Sequence, residues 1–189
     1  VRERRIAVVG FERFGAHAAN PSEQVVRALA GEPGLVTAVL PVAYRRAQAQ
    51  LLATLESVRP DALLLLGRHE GEAIRLERVA SNLDDAASAD EDGERRDGTP
   101  IFPGGPVSLG STLPLDAFAV ALANRALPVV WSRDAGGFLC NHVFYVARHW
   151  VGQSGRPIPC GFVHLPPSEA LAWQRQVEGV RACLALLSA

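Results

Sequence analysis

Cys140 lies in the run Asp134-Ala135-Gly136-Gly137-Phe138-Leu139-Cys140-Asn141-His142, where an apolar, aromatic-rich helical pattern begins just after two glycines. A thiol at a helix N-terminus feels the positive end of the helix dipole, which favours the thiolate form. The glycines let backbone N–H groups turn toward one point, as a developing oxyanion requires. Such a nucleophile needs a base, and a later strand-like run, Pro159-Cys160-Gly161-Phe162-Val163-His164, ends in one before Leu165-Pro166-Pro167 stops it. An imidazole that takes the thiol proton and a thiolate that attacks a carbonyl make the chemistry acyl transfer. A third group should hold the ring in the productive tautomer, and Glu77 is the candidate because a strand edge is a rigid mount for a carboxylate. The bland readings of the same residues are a buried apolar cysteine and a solvated ion pair of Glu77 with Arg75 or Arg78.

A rival reading takes Cys140, His142, Cys160 and His164 as Cys₂His₂ ligands of zinc. It is the weaker one, since these residues fall on a helix start and a strand rather than on turns, and Cys140 and His142 diverge on a helix. We therefore assign no metal ligand. The segment Gly10-Phe11-Glu12-Arg13-Phe14-Gly15 is a turn after the first strand, the place where α/β proteins bind ligands. It lacks the G-x-G-x-x-G spacing and a phosphate-binding lysine, so it is not a dinucleotide site. Phe11 and Phe14 suit a flat, uncharged ligand, or else plug the end of a sheet.

Short apolar runs alternate with amphipathic stretches along the chain. Strands are expected at Ile6–Val9, Leu35–Leu40, Ala62–Leu66, Ala73–Ala80, Val129–Trp131 and the run ending at His164. Helices are expected after Asn20-Pro21-Ser22, with Asn20 or Ser22 as cap, and then over Tyr44–Val58, Leu115–Ala126, Cys140 to about Val151, and from a Ser168 cap to about Leu187. From Asn82 to Gly105 the chain turns acidic and glycine-rich with no periodicity. It reads as a long mobile loop tied near the site at both ends, able to close over a ligand as a lid or else a solvated insertion. This alternation predicts one domain over residues 1–189, an α/β sandwich with a largely parallel sheet.

At 189 residues, 48% hydrophobic and 21% charged with a net charge of −1, the chain has the balance of a globular protein with no global pull toward nucleic acid or an anionic membrane. No apolar stretch nears the roughly 18 residues that span a bilayer. The opening residues run into a strand pattern without a signal-peptide core, and three cysteines are too few for a disulfide framework, so a cytoplasmic location is expected.

Five blocks in series resemble pyroglutamyl peptidase I, the cysteine peptidases that remove N-terminal pyroglutamate. They are Gly10 to Gly15 with Asn20-Pro21-Ser22; Glu77-Arg78-Val79-Ala80 with Asn82; Gly104-Gly105-Pro106 with Thr112-Leu113-Pro114; Ala135-Gly136 through Cys140-Asn141-His142 to Phe144-Tyr145; and Gly161 to Pro166. The resemblance implies a three-layer α/β/α sandwich with a largely parallel mixed sheet, no metal and no cofactor, and an omega-peptidase with Cys140 as nucleophile, His164 as base and Glu77 as orienting acid. It places Phe11 and Phe14 in an aromatic lactam pocket beside Asn20. The family's pocket glutamine, in a Gly/Ala-rich turn, is replaced here by the charged Gly67-Arg68-His69-Glu70-Gly71-Glu72, where Arg68 is the nearest position. The implied partners are peptides with N-terminal pyroglutamate and further copies of the chain, as a dimer or tetramer. The altered turn leaves one alternative, a non-catalytic lactam- or peptide-binding relative.

Overall fold

The computed structural model describes residues 4–188, so Val1-Arg2-Glu3 of the opening run and Ala189 lie outside the described residues. In chain order the elements are β1 (Ile6–Phe11), α1 (Pro21–Ala28), β2 (Leu35–Leu40), α2 (Tyr44–Val58), β3 (Ala62–Arg68), β4 (Ile74–Glu77), β5 (Val79–Ser81), β6 (Ser108–Gly110), α3 (Leu115–Ala123), β7 (Val129–Ser132), α4 (Leu139–Gln153), β8 (Cys160–Leu165) and α5 (Trp173–Ser188). Six strands form one sheet in the order β2-β1-β3-β8-β4-β7, while β5 and β6 make a separate antiparallel pair. Within the large sheet β2, β1, β3 and β8 run parallel. β4 is antiparallel to β8 and parallel to β7. The expected sandwich with a largely parallel mixed sheet is the fold observed.

Side chains alternate across a strand, so each buried strand feeds two cores. Ala7 and Val9, Leu63 and Leu65, and Cys160 and Phe162 face the layer of α2 and α4, where Leu51, Leu55, Val143 and Phe144 meet them. Ile6 and Val8, Leu64 and Leu66, and Val163 face the opposite layer of α1, α3 and α5, against Val25, Phe118, Leu122 and Val180. The same period carries past the cores to the strand ends. Gly67, His164 and Glu77 each stand an even number of residues from a side chain of the α4 side or an odd number from one of the other, so all three project toward α4. Register makes them neighbours: Gly67 lies opposite His164 between β3 and β8, and Arg75 and Glu77 lie opposite His164 and Phe162 between β4 and β8.

Four expectations need correction. The strand expected over Ala73–Ala80 breaks at Arg78, whose N–H stays with Ser132 O at 2.8 Å while its carbonyl accepts from Ser111 N at 2.9 Å. The chain thereby leaves the main sheet and β5 pairs with β6 instead. Helix α3 stops at Ala123, and Ala126 adopts a positive φ of 53° three residues later. Ser168 caps no helix: its hydroxyl donates to Gln24 Oε1 at 2.9 Å, and α5 starts at Trp173 after a turn on Pro167 O.

The fourth correction concerns the acidic segment. Several of its charges are anchors rather than solvated ones. Asp84, fully buried, accepts from Arg96 at 2.6 Å and faces His142 Nδ1 of α4 at 2.8 Å. Asp90 accepts the N–H of Tyr44 at 2.8 Å, capping α2 from a distance of 46 residues. Asp92 and Glu94 pair with Arg46 and Arg45 in the first turn of the same helix. Asn82 holds both Phe102 N–H and Phe102 O at 2.8 Å. The segment is a strap fastened across α2 and α4, and a buried anchor such as Asp84 is costly to release because its charge would lose its partners.

Candidate active site

Cys140 is the second residue of α4, half-buried, with its helix capped by no side chain. The first-turn N–H groups of that helix therefore point outward without a capping acceptor from the side chains. Two glycines deliver the chain to this helix end for different reasons. Gly136 has φ of 84°, a left-handed conformation that disfavours other residues. At Gly137 the backbone of Asp85 approaches so closely that a Cβ would collide with its carbonyl oxygen. Gly137, one of the two glycines read as oxyanion-shaping, thus also docks the acidic strap against the helix.

Behind the thiol, His164 is 4% exposed and its Nδ1 lies 2.7 Å from Glu77 Oε1. Glu77 is fully buried, which excludes the solvated ion pair with Arg75 or Arg78. The second carboxylate oxygen, Oε2, has no hydrogen-bond partner among the described residues. Burial disfavours charge on His164. The negative charge and hydrogen bond of Cys140, followed by the Glu77 hydrogen bond and carboxylate charge, outweigh it and leave the pKa pushed up to about 9. The pairing of a carboxylate, an imidazolium and a sulfur in sequence is therefore electrostatically consistent: each charge offsets the desolvation of the next.

His69 flanks this group, with its ring 5.9 Å from that of His164 and at 62° to it. Its Nδ1 accepts from Gly71 N–H at 3.0 Å, which puts the proton on Nε2, where it is donated to Ala73 O at 2.8 Å. Burial lowers the pKa of His69, and Arg75 and His164 lower it further against the opposing backbone bond. A neutral ring held in this way adds no second cation beside His164.

The four residues of the zinc reading do not converge. His142 faces Asp84 with Nδ1 and Gln48 Oε1 with Nε2, at 2.8 and 3.0 Å, on the strap side of α4. Cys160 is buried in the core, its thiol pKa pushed up to about 12 by burial despite the nearby Arg148. Among the described residues, no group of three or more His, Cys, Asp or Glu side chains could hold a metal ion.

A cavity of about 210 Å³ opens beside Cys140 at the carboxyl ends of β1 and β3, where ligand sites of open parallel sheets lie. Phe11, Phe14, Asn20 and Arg68 all line it with Cys140, and the phenyl rings of Phe14 and Phe138 pack at 5.7 Å. Asn20 is largely spent on structure: its Oδ1 accepts from Ser22 N and Ser22 Oγ, and its amide donates to Glu12 O. Val42, Phe138, His17 and Glu70 are among the other residues of the wall and rim. None of these four stood out in the sequence; Phe138 lay inside the Cys140 run, whereas Val42 carries no chemical signal and reaches the cavity only through the β2–α2 junction. No residue of the strap from 82 to 105 lines the cavity, which favours an insertion over a lid among its two expected roles.

Gly67 explains how the thiol fits. A Cβ at this position would lie 2.7 Å from Cys140 Sγ and 2.6 Å from Phe162 Cζ. The strand must therefore carry no side chain where the sulfur sits.

Comparison with known proteins identifies what this arrangement resembles. The family model of pyroglutamyl peptidases matches residues 4–183. A pyrrolidone-carboxylate peptidase of Gloeobacter violaceus is 39% identical over 176 residues, spanning 89% of this chain and 85% of the relative. That of Pyrococcus furiosus is 36% identical over 167 residues, spanning 86% and 80%. Among solved structures, pyroglutamyl peptidase I from Bacillus amyloliquefaciens superimposes with a TM-score of 0.94 at 26% identity, covering 100% of this chain and 96% of that one. The pyrrolidone carboxyl peptidase of P. furiosus superimposes with a TM-score of 0.91 at 32% identity, covering 97% of each chain. Among the described residues no helix is long and apolar enough to cross a membrane.

Proposed function

This chain belongs to the pyroglutamyl peptidase family, and on that premise we propose that it hydrolyses the peptide bond after an N-terminal L-pyroglutamyl residue through Cys140, His164 and Glu77. The observation that carries the residue assignment is the 2.7 Å contact of Glu77 with His164 Nδ1 behind a half-buried thiol on an uncapped helix terminus. The substrate's end is a neutral five-membered lactam without an ammonium group. A cavity walled by Phe11, Phe14, Val42 and Phe138 suits it, because burial of a flat apolar ring face is favourable and no charge must be stripped of water.

In this reading the Cys140 sulfur attacks the pyroglutamyl carbonyl carbon. The oxygen takes up the negative charge facing the first-turn N–H groups of α4. His164, cationic at neutral pH, gives its Nε2 proton to the leaving amine as the C–N bond breaks, and the pyroglutamyl group remains as a thioester on Cys140. A water molecule then loses a proton to His164 and attacks the thioester carbon, releasing pyroglutamate and restoring the sulfur. Glu77 holds the ring throughout and offsets its charge.

Turnover of L-pyroglutamyl 7-amido-4-methylcoumarin tests the reading and separates it from a lactam-binding protein without activity, which would bind the substrate and release no fluorophore. Activity should be unaffected by EDTA or 1,10-phenanthroline. Loss with chelator and recovery with zinc would return the site to metal chemistry.

The raised pKa of His164 gives a pH prediction. The group that must stay protonated to donate to the leaving amine loses its proton near pH 9, so kcat/KM should fall above about that pH. Glu77→Gln removes one of the causes that raise the pKa, so the alkaline limb should move to lower pH while turnover drops by ~10²-fold or more, with measurable activity left. An unchanged limb and full activity in Glu77→Gln would take the carboxylate out of the mechanism. The linkage also bears on folding: with the folded pKa above the unfolded value of ~6.5, the stabilisation from His164 is complete below that value and declines as pH rises through about 9.

A further inference from the structure

We infer that Asn141 is a positioning residue of the reaction: it pins the first turn of α4 to the segment that carries Glu77, and so holds the Cys140 sulfur against His164. This deepens the proposed function and rests on it.

Asparagine is a poor helix former, and the inward face of a helix is ordinarily apolar. Asn141 nevertheless stands in the first turn of α4, one residue after Cys140, and is fully buried. Its Oδ1 accepts from Ser81 N–H at 2.9 Å, and its amide donates to Ser81 O at 3.0 Å and to Leu83 O at 2.9 Å. Packing alone would be served by a leucine. A buried amide bonded three times to one stretch of backbone fixes direction as well. Further ties reach the same turn of helix from the same stretch of chain. Asp85 N–H donates to Gly137 O at 2.9 Å, and Asp84 Oδ2 faces His142 Nδ1 at 2.8 Å. Residues 81–85 thus grip the chain on both sides of Cys140. The helix has no side-chain cap of its own, so these contacts locate its first turn.

The other end of the grip gives it a catalytic consequence. Ser81 follows Glu77 by four residues. The chain between them is held at its bend by the main-chain bonds of Arg78 to Ser132 and Ser111, and beyond the bend by the pairing of β5 with β6. Glu77 in turn holds His164 Nδ1 at 2.7 Å. One short, fixed piece of chain therefore carries the imidazole at one end and the helix of the thiol at the other. Cutting the Asn141 tie leaves Glu77 and His164 in place and lets the sulfur drift from them. A misplacement of about 1 Å at a reacting atom costs ~10²-fold in rate, and with the other ties intact a fraction of that shift is expected.

The test compares Asn141→Ala and the milder Asn141→Ser with Asn82→Ala. Asn82 is a second amide of the strap, but it bonds Phe102 and Gly105 rather than α4. All are assayed at a temperature where circular dichroism shows them folded. Asn141→Ala should lower kcat for L-pyroglutamyl 7-amido-4-methylcoumarin by roughly tenfold, with KM affected less because Asn141 does not line the cavity. Its Cys140 should react with iodoacetamide at pH 7 roughly fivefold more slowly, since a thiol drawn away from the imidazole loses thiolate character. Asn141→Ser, whose hydroxyl can remake part of the bonding, should lose less of both, and it carries the comparison if the alanine variant does not fold. Asn82→Ala should lower the melting temperature and leave kcat and the alkylation rate unchanged. An unchanged kcat or alkylation rate in the Asn141 variants, or equal losses in Asn82→Ala, would overturn the inference while the proposed function stands. No turnover of the pyroglutamyl amide by the unaltered protein would instead overturn the proposed function, whereas alkylation, which needs no substrate, would still show whether Asn141 sets the thiol against the imidazole.

Discussion

Cys140→Ala and His164→Ala should each lower turnover of a pyroglutamyl amide by ~10⁴-fold or more, and the double replacement should be scarcely worse than either alone. Nucleophile and proton carrier act as one unit, so removing either removes the covalent route and the second loss has little left to take. The two variants should differ in stability, and that difference checks the geometry independently of activity. Cys140→Ala takes a charge and a hydrogen bond away from His164, yet the imidazole keeps Glu77 and can shed its own proton, so no buried charge is stranded. His164 is the partner of a fully buried carboxylate whose other oxygen is already unpartnered. Removing one member of a buried pair typically costs about 3–5 kcal/mol, because the remaining charge loses its compensation. Denaturant melts should therefore place His164→Ala well below the unaltered protein and Cys140→Ala close to it. Equal stability of the two variants would mean that Glu77 does not depend on the imidazole.

Gly67→Ala should be the most damaging substitution outside the three central residues. It adds one methyl group, yet the added carbon would stand 2.7 Å from the Cys140 sulfur and 2.6 Å from the Phe162 ring. Neither neighbour can easily give way: Phe162 is fully buried between sheet and helix, and Cys140 is fixed by the first turn of α4. The sulfur would have to move away from its place opposite His164, and a displacement of about 1 Å at a reacting atom is enough to cost ~10²-fold in rate. We expect kcat to fall by roughly that factor with KM affected less, because the aromatic wall of Phe11, Phe14 and Phe138 is not altered. A kcat equal to that of the unaltered protein would mean that the thiol does not occupy this position during turnover.

The sequence made parts of this account legible and hid others for identifiable reasons. Helix Tyr44–Val58 and strand Leu35–Leu40 were readable to the residue, because their periodicity and stop signals are local. Cys140, His164 and Glu77 were readable as candidates because each ends or begins such an element. Their convergence follows from strand order, since β8 inserts between β3 and β4, which no local pattern reports. The acidic strap was misread for the same reason. Asp84 and Asp90 look like solvated charges until their partners are known, and those partners, His142 and the backbone of Tyr44, lie 58 and 46 residues away. The cavity rim was half visible: Arg68 could be placed by the family resemblance, whereas His17 and Glu70 reach the cavity only through the fold.

The central claim is that one thiol of three performs covalent catalysis, and selective alkylation tests it most directly. Cys160 and Cys183 are buried, with thiol pKa values pushed up to about 12 by burial, so neither should react near neutral pH. The protein would be titrated with iodoacetamide at pH 7, with residual hydrolysis of the pyroglutamyl amide and the site of each adduct by peptide mass measured at every step. The account predicts a single adduct, on Cys140, with activity falling in direct proportion to its occupancy and saturating pyroglutamate slowing both. Full activity in protein whose Cys140 is completely alkylated would contradict it.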